Sequence, residues 1–467
     1  MKWLRFFVAS VLCALGMVAT ASAQSADIDR YTEGLFARSG LPGLAVAVVQ
    51  GDRVAYVRGF GDDGNGGAVT ADTPFILGST SKSFTALAIL QLVESGRVKL
   101  DAPVSAYLPE FMKGARTITV RMLLNQTSGI SGEAGDQPVV DAGESGPDAI
   151  RHWASGLREE ALDRTPGASY EYSNANFVVL GAIVEAASGE AYAQYLQAHI
   201  FAPLGMTHSR ATLPGPLSRG HKKFFGVNYV SDLPYPESFV PCGFIISTAG
   251  DIAKYLSAQL PGSANARALG ISDAGIALWH KGVAPMDPGG KGHYAMGWAV
   301  DTFNGVPVIW HSGDTGVFSS EFTLEPKGKW GVVVLSDGSG WLSSDYLQEI
   351  SSGIVNKLVG RTPRDDTPIH RIILAVYVAV IAIPLLQLLA LWAMRNRKRG
   401  WFRQTCPVLL HGIVAALMLT ALPRMLFGIP LSELVTSFPD MGMAAVLSGV
   451  LALVAAVLAV NKLMRAR

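Results

Sequence analysis

Hydrophobic and polar positions follow three different regimes along this chain. At the start, Phe6 to Val18 is an apolar run behind Lys2 and Arg5, closed by Ala21-Ser22-Ala23. A positive leader, a short apolar centre and a small-x-small site predict a cleaved secretory signal over residues 1–23. At the far end, Ile372 to Met394, Pro407 to Phe427 and Met441 to Val460 are each of a length that crosses a bilayer core. Buried core helices are the alternative, but three such runs joined by short connectors predict a membrane module. Pro384, Pro407 and Pro423 are compatible with it, because proline is tolerated in membrane helices.

Between these ends the pattern is that of a mixed domain. Gly43 to Gln50 and Val54 to Phe60 predict two strands of a hairpin, turning at Gly51-Asp52. A helix is predicted over Thr80 to Ser95, with Phe84, Leu87, Ala88, Leu90, Gln91 and Leu92 on a largely apolar face and Gly96 as its cap. Helical patterns recur at Val120 to Gln126, Asn176 to Ala187, Tyr192 to Ile200 and Thr248 to Gln259. Strand character returns at Val306 to His311, Ser320 to Glu325 and Trp330 to Ser336, before a helix at Ser344 to Leu358. Strands at both ends with helices between predict an α/β (α+β) domain. Its antiparallel sheet is built from both termini and flanked by helices, with an all-helical subdomain inserted. This domain is expected over residues 24–360, a linker broken by Pro363 over 361–371, three membrane helices over 372–460 and a tail over 461–467.

Composition sharpens the membrane reading. The hydrophobic fraction is 49% and the charged fraction 16%, and the excess sits at the two ends. A net charge of +1 gives no general attraction to nucleic acid. The loop from Arg395 through Arg397, Lys398, Arg399 and Arg403 is basic, as is the tail with Lys462, Arg465 and Arg467. The connector between the second and third runs carries Glu433 and Asp440 instead. The positive-inside rule therefore places loop and tail in the cytoplasm, and residues 24 to about 366 on the periplasmic or extracellular side of a bacterial inner membrane. Arg424 is the discordant charge, expected to snorkel or to face the bundle interior. The cysteines are Cys13, Cys242 and Cys406, too few and too scattered for a disulfide framework or a cysteine metal site. Cys242 is expected to be a packed thiol.

Candidate chemistry begins at Ser79-Thr80-Ser81-Lys82, after Gly78 and at a predicted helix start. Residues three apart share a helix face, so the Lys82 amine can reach the Ser79 hydroxyl. Serine needs a base to become a nucleophile, and lysine serves when desolvation or neighbouring positive charge lowers its pKa. Tyr172-Ser173-Asn174 follows the turn Pro166-Gly167-Ala168. A phenol beside an ammonium can act as base and then as proton donor, and Asn174 offers a donor and an acceptor to a substrate amide. The alternatives are a packed tyrosine and a capping asparagine. His311-Ser312-Gly313-Asp314 ends a predicted strand, where Gly313 permits close approach and a backbone N–H can complete an oxyanion hole.

Together these motifs resemble the serine β-lactamase and penicillin-binding-protein superfamily, and within it the class C-like serine hydrolases of peptidase family S12. Phe75-Ile76-Leu77-Gly78, Leu123 to Gly129, Tyr172 to Phe177, Pro203-Leu204-Gly205-Met206, Ser247 to Asp251 and Gly316 to Ser320 carry the likeness across about residues 30 to 358. The resemblance implies Ser79 as the acylated nucleophile, Lys82 as its partner and Tyr172 as the proton-shuttling base and acid. It implies substrate contacts from Asn174, His311, Gly313 and Asp314, with the Ser79 and Asp314 amides as oxyanion hole. The expected substrate is a small molecule or peptide, cell-wall or natural-product derived, with no cofactor, no metal and no nucleic acid. His311 stands where many relatives have lysine, which favours peptidase, amidase or esterase activity over β-lactam hydrolysis. The order of signal, domain and spans is also similar to that of prodrug-activating D-amino-acid peptidases of the colibactin-maturation type. Asp314-Thr315-Gly316-Val317 supplies no asparagine to read a D-asparagine cap. A penicillin-binding sensor or a non-catalytic peptidoglycan-binding protein are the remaining alternatives.

Overall fold

The computed structural model describes residues 23–112, 117–135, 145–158, 161–340, 343–395, 413, 417–421, 431, 434–435 and 439–465. The expected signal, apart from residue 23, lies outside these residues, as do the basic loop after Arg395 and most of the expected middle span. The described chain forms two compact units, each taken by itself below. The first comprises residues up to Lys222, Val230–Ser339 and Ser343–Arg364; the second comprises Lys223–Tyr229, residue 340 and the described residues from Asp365 onward.

The first unit is built on an eight-stranded antiparallel sheet. In chain order the strands are β1 (Gly43–Gln50), β2 (Arg53–Gly61), β7 (Ala284–Pro285), β8 (His293–Ala295), β9 (Trp298–Phe303), β10 (Val306–Asp314), β11 (Ser319–Glu325) and β12 (Trp330–Ser336). The numbers β3 to β6 belong to Phe75–Ile76, His221–Phe224, Val227–Val230 and Ile246–Ser247. Their spatial order is β2-β1-β12-β11-β10-β9-β8-β7, so the N-terminal hairpin joins the C-terminal strands through β1 against β12, with Val46 opposite Val334. The sheet therefore unites both ends of the domain, as the pattern predicted.

Helices cover both faces of this sheet. On one face Ser351, in the helix Ser343–Leu358, donates to Thr323 Oγ1 of β11 at 2.8 Å. On the other, Gly331 of β12 lies against Leu256 in the helix Ala249–Gln259. An N-terminal helix over residues 23–39 joins the first layer, Tyr31 donating to the Glu349 carbonyl at 3.1 Å. With β1, β11 and β12 buried along almost their whole length, their apolar runs read as continuous rather than alternating.

The inserted helical region centres on α1, Ser81–Glu94, which is buried from Ser81 to Leu92 on every side. The sequence predicted one apolar face; the helix is a core helix instead, and its polar residues are bonded rather than exposed. Tyr255 donates to Ser83 Oγ at 3.0 Å, and Thr85 Oγ1 lies 2.6 Å from both the Tyr192 hydroxyl and the Pro241 carbonyl. Burying Phe84, Leu87 and Leu90 contributes about 1.5–3 kcal/mol each. The second core helix, α2, spans Asn174–Ser188, starting two residues before the predicted Asn176. The pattern expected over Tyr192 to Ile200 is a short α-helix to Leu196 followed by a π-helical turn, Gln197–Phe201.

In the second unit, α3 (Thr367–Arg395, with Pro384 inside) and α4 (Pro439–Arg465) are the two described helices long and apolar enough to cross a membrane. Val380 packs with Met441, Ala444 and Ala445 between them, while Ile372, Leu385, Leu386 and Trp392 point outward. Of the three expected spans, two are described. The third, 407–427, lies outside the described residues except for 413 and the π-helical turn Leu417–Ala421.

Candidate active site

Ser79 sits in a 3-10 turn, Gly78–Thr80, two residues before α1 begins, and not in the helix proper. This turn is fastened to the sheet at the Leu77 carbonyl, which accepts from Thr80 Oγ1 at 2.8 Å and from Ser320 Oγ of β11 at 2.5 Å. Gly78 has φ +59, and a Cβ there would fall 2.6 Å from the Asp314 nitrogen. A Cβ on Gly313 would fall 2.2 Å from the Leu77 carbonyl and 2.9 Å from the Ser79 nitrogen. The two glycines thus let turn and strand meet backbone to backbone, bringing the Ser79 and Asp314 amides to one seam. The Asp314 carboxylate accepts from the Gly316 N–H at 2.6 Å and from the Ser319 and Ser339 hydroxyls.

Lys82, one turn into the motif, is fully buried. Its Nζ donates to Ser79 Oγ at 3.0 Å, Asn174 Oδ1 at 2.7 Å and the Cys242 carbonyl at 2.8 Å. An ammonium satisfies all three acceptors. A neutral amine satisfies two, Asn174 and Cys242, and turns its lone pair to the Ser79 proton. One arrangement therefore serves both protonation states. The Cys242 carbonyl is held in place by its helical turn, Val240–Gly243, whose Pro241 carbonyl is tied to Thr85 of α1. Asn174 is the first residue of α2, and with Oδ1 accepting from Lys82, Nδ2 is the end of its amide that can donate to a substrate carbonyl.

The Tyr172 ring lies with its centroid 4.8 Å from Lys82 Nζ. Its loop is anchored on both sides. Gln126, itself at φ +59, accepts through Oε1 from the Ser173 N–H at 3.0 Å and also from the Asn176 side-chain amide. The Gln126 backbone carbonyl takes the Glu171 N–H at 2.8 Å. Ser173 Oγ donates to the Ser131 carbonyl at 2.8 Å. Tyr172 is thus held by its neighbours' bonds to the 126–131 loop.

His311 is buried on β10, its ring 6.3 Å from that of Tyr172. Its Nδ1 lies 2.6 Å from the Ser312 carbonyl, which can only accept, so Nδ1 carries the proton. Nε2 then accepts from the Tyr294 hydroxyl at 3.3 Å. Burial, and next the nearby Lys82 charge, push the His311 pKa down to about 4, so the ring is neutral at pH 7. Among the described residues no cluster of three or more His, Cys, Asp or Glu could hold a metal ion.

The family profile described as Beta-lactamase matches residues 28–350. The chain belongs to the beta-lactamase family. It is 30% identical over 349 residues to penicillin-binding protein 4 of Amycolatopsis lactamdurans, covering 70% of this chain and 89% of that protein. Among solved structures, it is similar to the octameric penicillin-binding protein homologue from Pyrococcus abyssi. That match has 26% identity and a TM-score of 0.63, covering 73% of this chain and 79% of the other. The D-amino acid amidase from Ochrobactrum anthropi, at 23% identity and a TM-score of 0.60 over 71% and 97% of the two chains, shares the fold.

Within this beta-lactamase fold the structure brings all seven sequence-selected residues together: Ser79, Lys82, Tyr172, Asn174 and His311 by side-chain contacts, Gly313 and Asp314 at the backbone seam. Two participants went unread in the sequence. The Cys242 carbonyl has no residue-type signature, since any amino acid supplies one. Tyr294 lies on β8, a three-residue strand too short to alternate visibly. It is buried against Tyr170, Tyr172 and His311, with ring centroids 5.5, 6.3 and 5.9 Å away.

Proposed function

We propose that this member of the beta-lactamase family is a membrane-tethered serine hydrolase of the bacterial inner membrane, with its catalytic domain on the periplasmic or extracellular side. It acts through an acyl-enzyme on an amide or ester substrate. The observation that carries this reading is the position of Lys82 Nζ, shared between Ser79 Oγ, Asn174 Oδ1 and the Cys242 carbonyl. Ser79 Oγ attacks the substrate carbonyl carbon while its proton passes to the Lys82–Tyr172 pair. The oxyanion is received by the Ser79 and Asp314 amides. Collapse breaks the bond to the leaving group, which takes the proton back through Tyr172, and a water then hydrolyses the acyl-serine by the reverse route. The signal-like leader, the two described apolar helices and the loop charges support the membrane and topology part.

His311 shapes the substrate class. A neutral imidazole offers no fixed charge to a substrate carboxylate, so uncharged esters and amides are favoured over peptides ending in a free carboxylate. Two outcomes follow. The kcat/KM profile for a short ester should lack a step assignable to His311 between about pH 5 and 8, because the ring gains its proton only near its lowered pKa. His311→Lys should shift preference toward a carboxylate-terminated D-alanyl-D-alanine peptide. Turnover of a panel containing an ester, a D-amino-acid amide, that peptide and a cephalosporin tests both. Wild-type preference for the carboxylate-terminated member would overturn the assignment.

A further inference from the structure

The second unit includes a segment outside the two long apolar helices: the tip of the hairpin formed by β4 (His221–Phe224) and β5 (Val227–Val230). Phe225 and Gly226 turn it with φ +47 and +81, as a tight two-residue hairpin requires. Phe224, Phe225, Val227 and Tyr229 are exposed, Val227 at 69%, and the two phenylalanine rings meet edge to face at 4.6 Å. Single exposed apolar residues are ordinary, but four within six positions at the end of a short hairpin form a patch that water does not favour. Strands of four residues do not sustain such a hairpin alone.

The tip is fixed in depth by Asp440. The Phe225 N–H donates to Asp440 Oδ2 at 2.9 Å, and the Tyr377 hydroxyl of α3 donates to the same oxygen. Asp440 lies in the first turn of α4, at the start of the apolar stretch Pro439–Leu458. The patch therefore lies at the end of a span, where hydrocarbon gives way to headgroups. Aromatic rings favour that zone, and the half-buried Lys222 and Lys223 lead into the tip with stems suited to snorkelling.

We propose that the tip, Phe224 to Val227 with Tyr229, is a lipid-interface anchor inserted into the leaflet at the Asp440 end of α4. Its occupant is bilayer lipid. The proposal rests on the reading of α3 and α4 as membrane spans and adds a further point of attachment to them. It assigns the apolar side chains to the acyl-chain boundary and the Asp440 carboxylate to holding the turn at that depth.

The test uses the full chain with Cys13 and Cys406 replaced by serine and the buried Cys242 left in place, reconstituted in phosphatidylethanolamine–phosphatidylglycerol vesicles. An environment-sensitive fluorophore is attached at Val227→Cys, at Leu447→Cys within α4, or at exposed Val283→Cys in the first unit. Fluorophosphonate labelling confirms that each variant is folded. The label at 227 should be blue-shifted and quenched about twofold more by shallow nitroxide lipids than the label at 283, which aqueous iodide should quench instead. A water-like label at 227 beside a lipid-buried label at 447 would overturn the anchor while leaving the spans standing. A water-like label at 447 as well would overturn the spans and the anchor together.

Discussion

Replacing Lys82 by methionine is expected to slow acylation of Ser79 by about 10²–10⁴-fold, the usual contribution of a positioned general base. Methionine is unbranched and fills much of the lysine stem's path beside Phe177, whose ring centre is 5.7 Å from Nζ. The change therefore removes the amine rather than opening a large void. It leaves Asn174 Oδ1 and the Cys242 carbonyl without this donor, which costs stability, while also removing a cation that burial penalises. These terms oppose each other, so the fold should persist with a small change in Tm. The rate of fluorophosphonate labelling, followed alongside near-ultraviolet circular dichroism, separates the two effects. Labelling within about threefold of wild type would mean that Lys82 is not the base.

Gly313→Ala is expected to damage both stability and rate. The added methyl would lie 2.2 Å from the Leu77 carbonyl, 2.5 Å from Ser320 Oγ and 2.9 Å from the Ser79 nitrogen. None of these can yield freely, because Leu77 and Ser320 form the bond that fastens the nucleophile turn to β11. Strand and turn must separate, at about 1–3 kcal/mol for overpacking. The Ser79 and Asp314 amides separate with them, and losing one oxyanion donor costs about 10²–10³ in kcat. The expected signature is a lowered Tm with kcat falling far more than KM rises. A variant with lowered Tm but wild-type kcat would remove Gly313 and Asp314 from the mechanism.

The parts of this molecule that were legible in its sequence share a physical cause. β1 and β12 are long, apolar and bounded by turn residues, so their existence could be read, although both faces are buried. The short strands β7 and β8 gave no period to detect. The helix over residues 23–39 begins beside the expected signal cleavage site and was not resolved from it. Ser79 and Lys82 were legible because a helical turn fixes their spacing. The pairing of Lys82 with Asn174 and with the Cys242 carbonyl depends on tertiary contacts across 92 and 160 residues, which local pattern does not encode. His311 is legible as a histidine where many relatives carry lysine; that its tautomer is set by Ser312 and Tyr294 depends on the fold.

The proposed mechanism requires Ser79 to form a covalent acyl intermediate. Quenching the enzyme during turnover of an activated ester and locating the acyl mass by peptide mass spectrometry tests it most directly. One acyl group is expected on the peptide containing Ser79, and none on Ser79→Ala. An adduct on another residue, or an unchanged yield in Ser79→Ala, would contradict it.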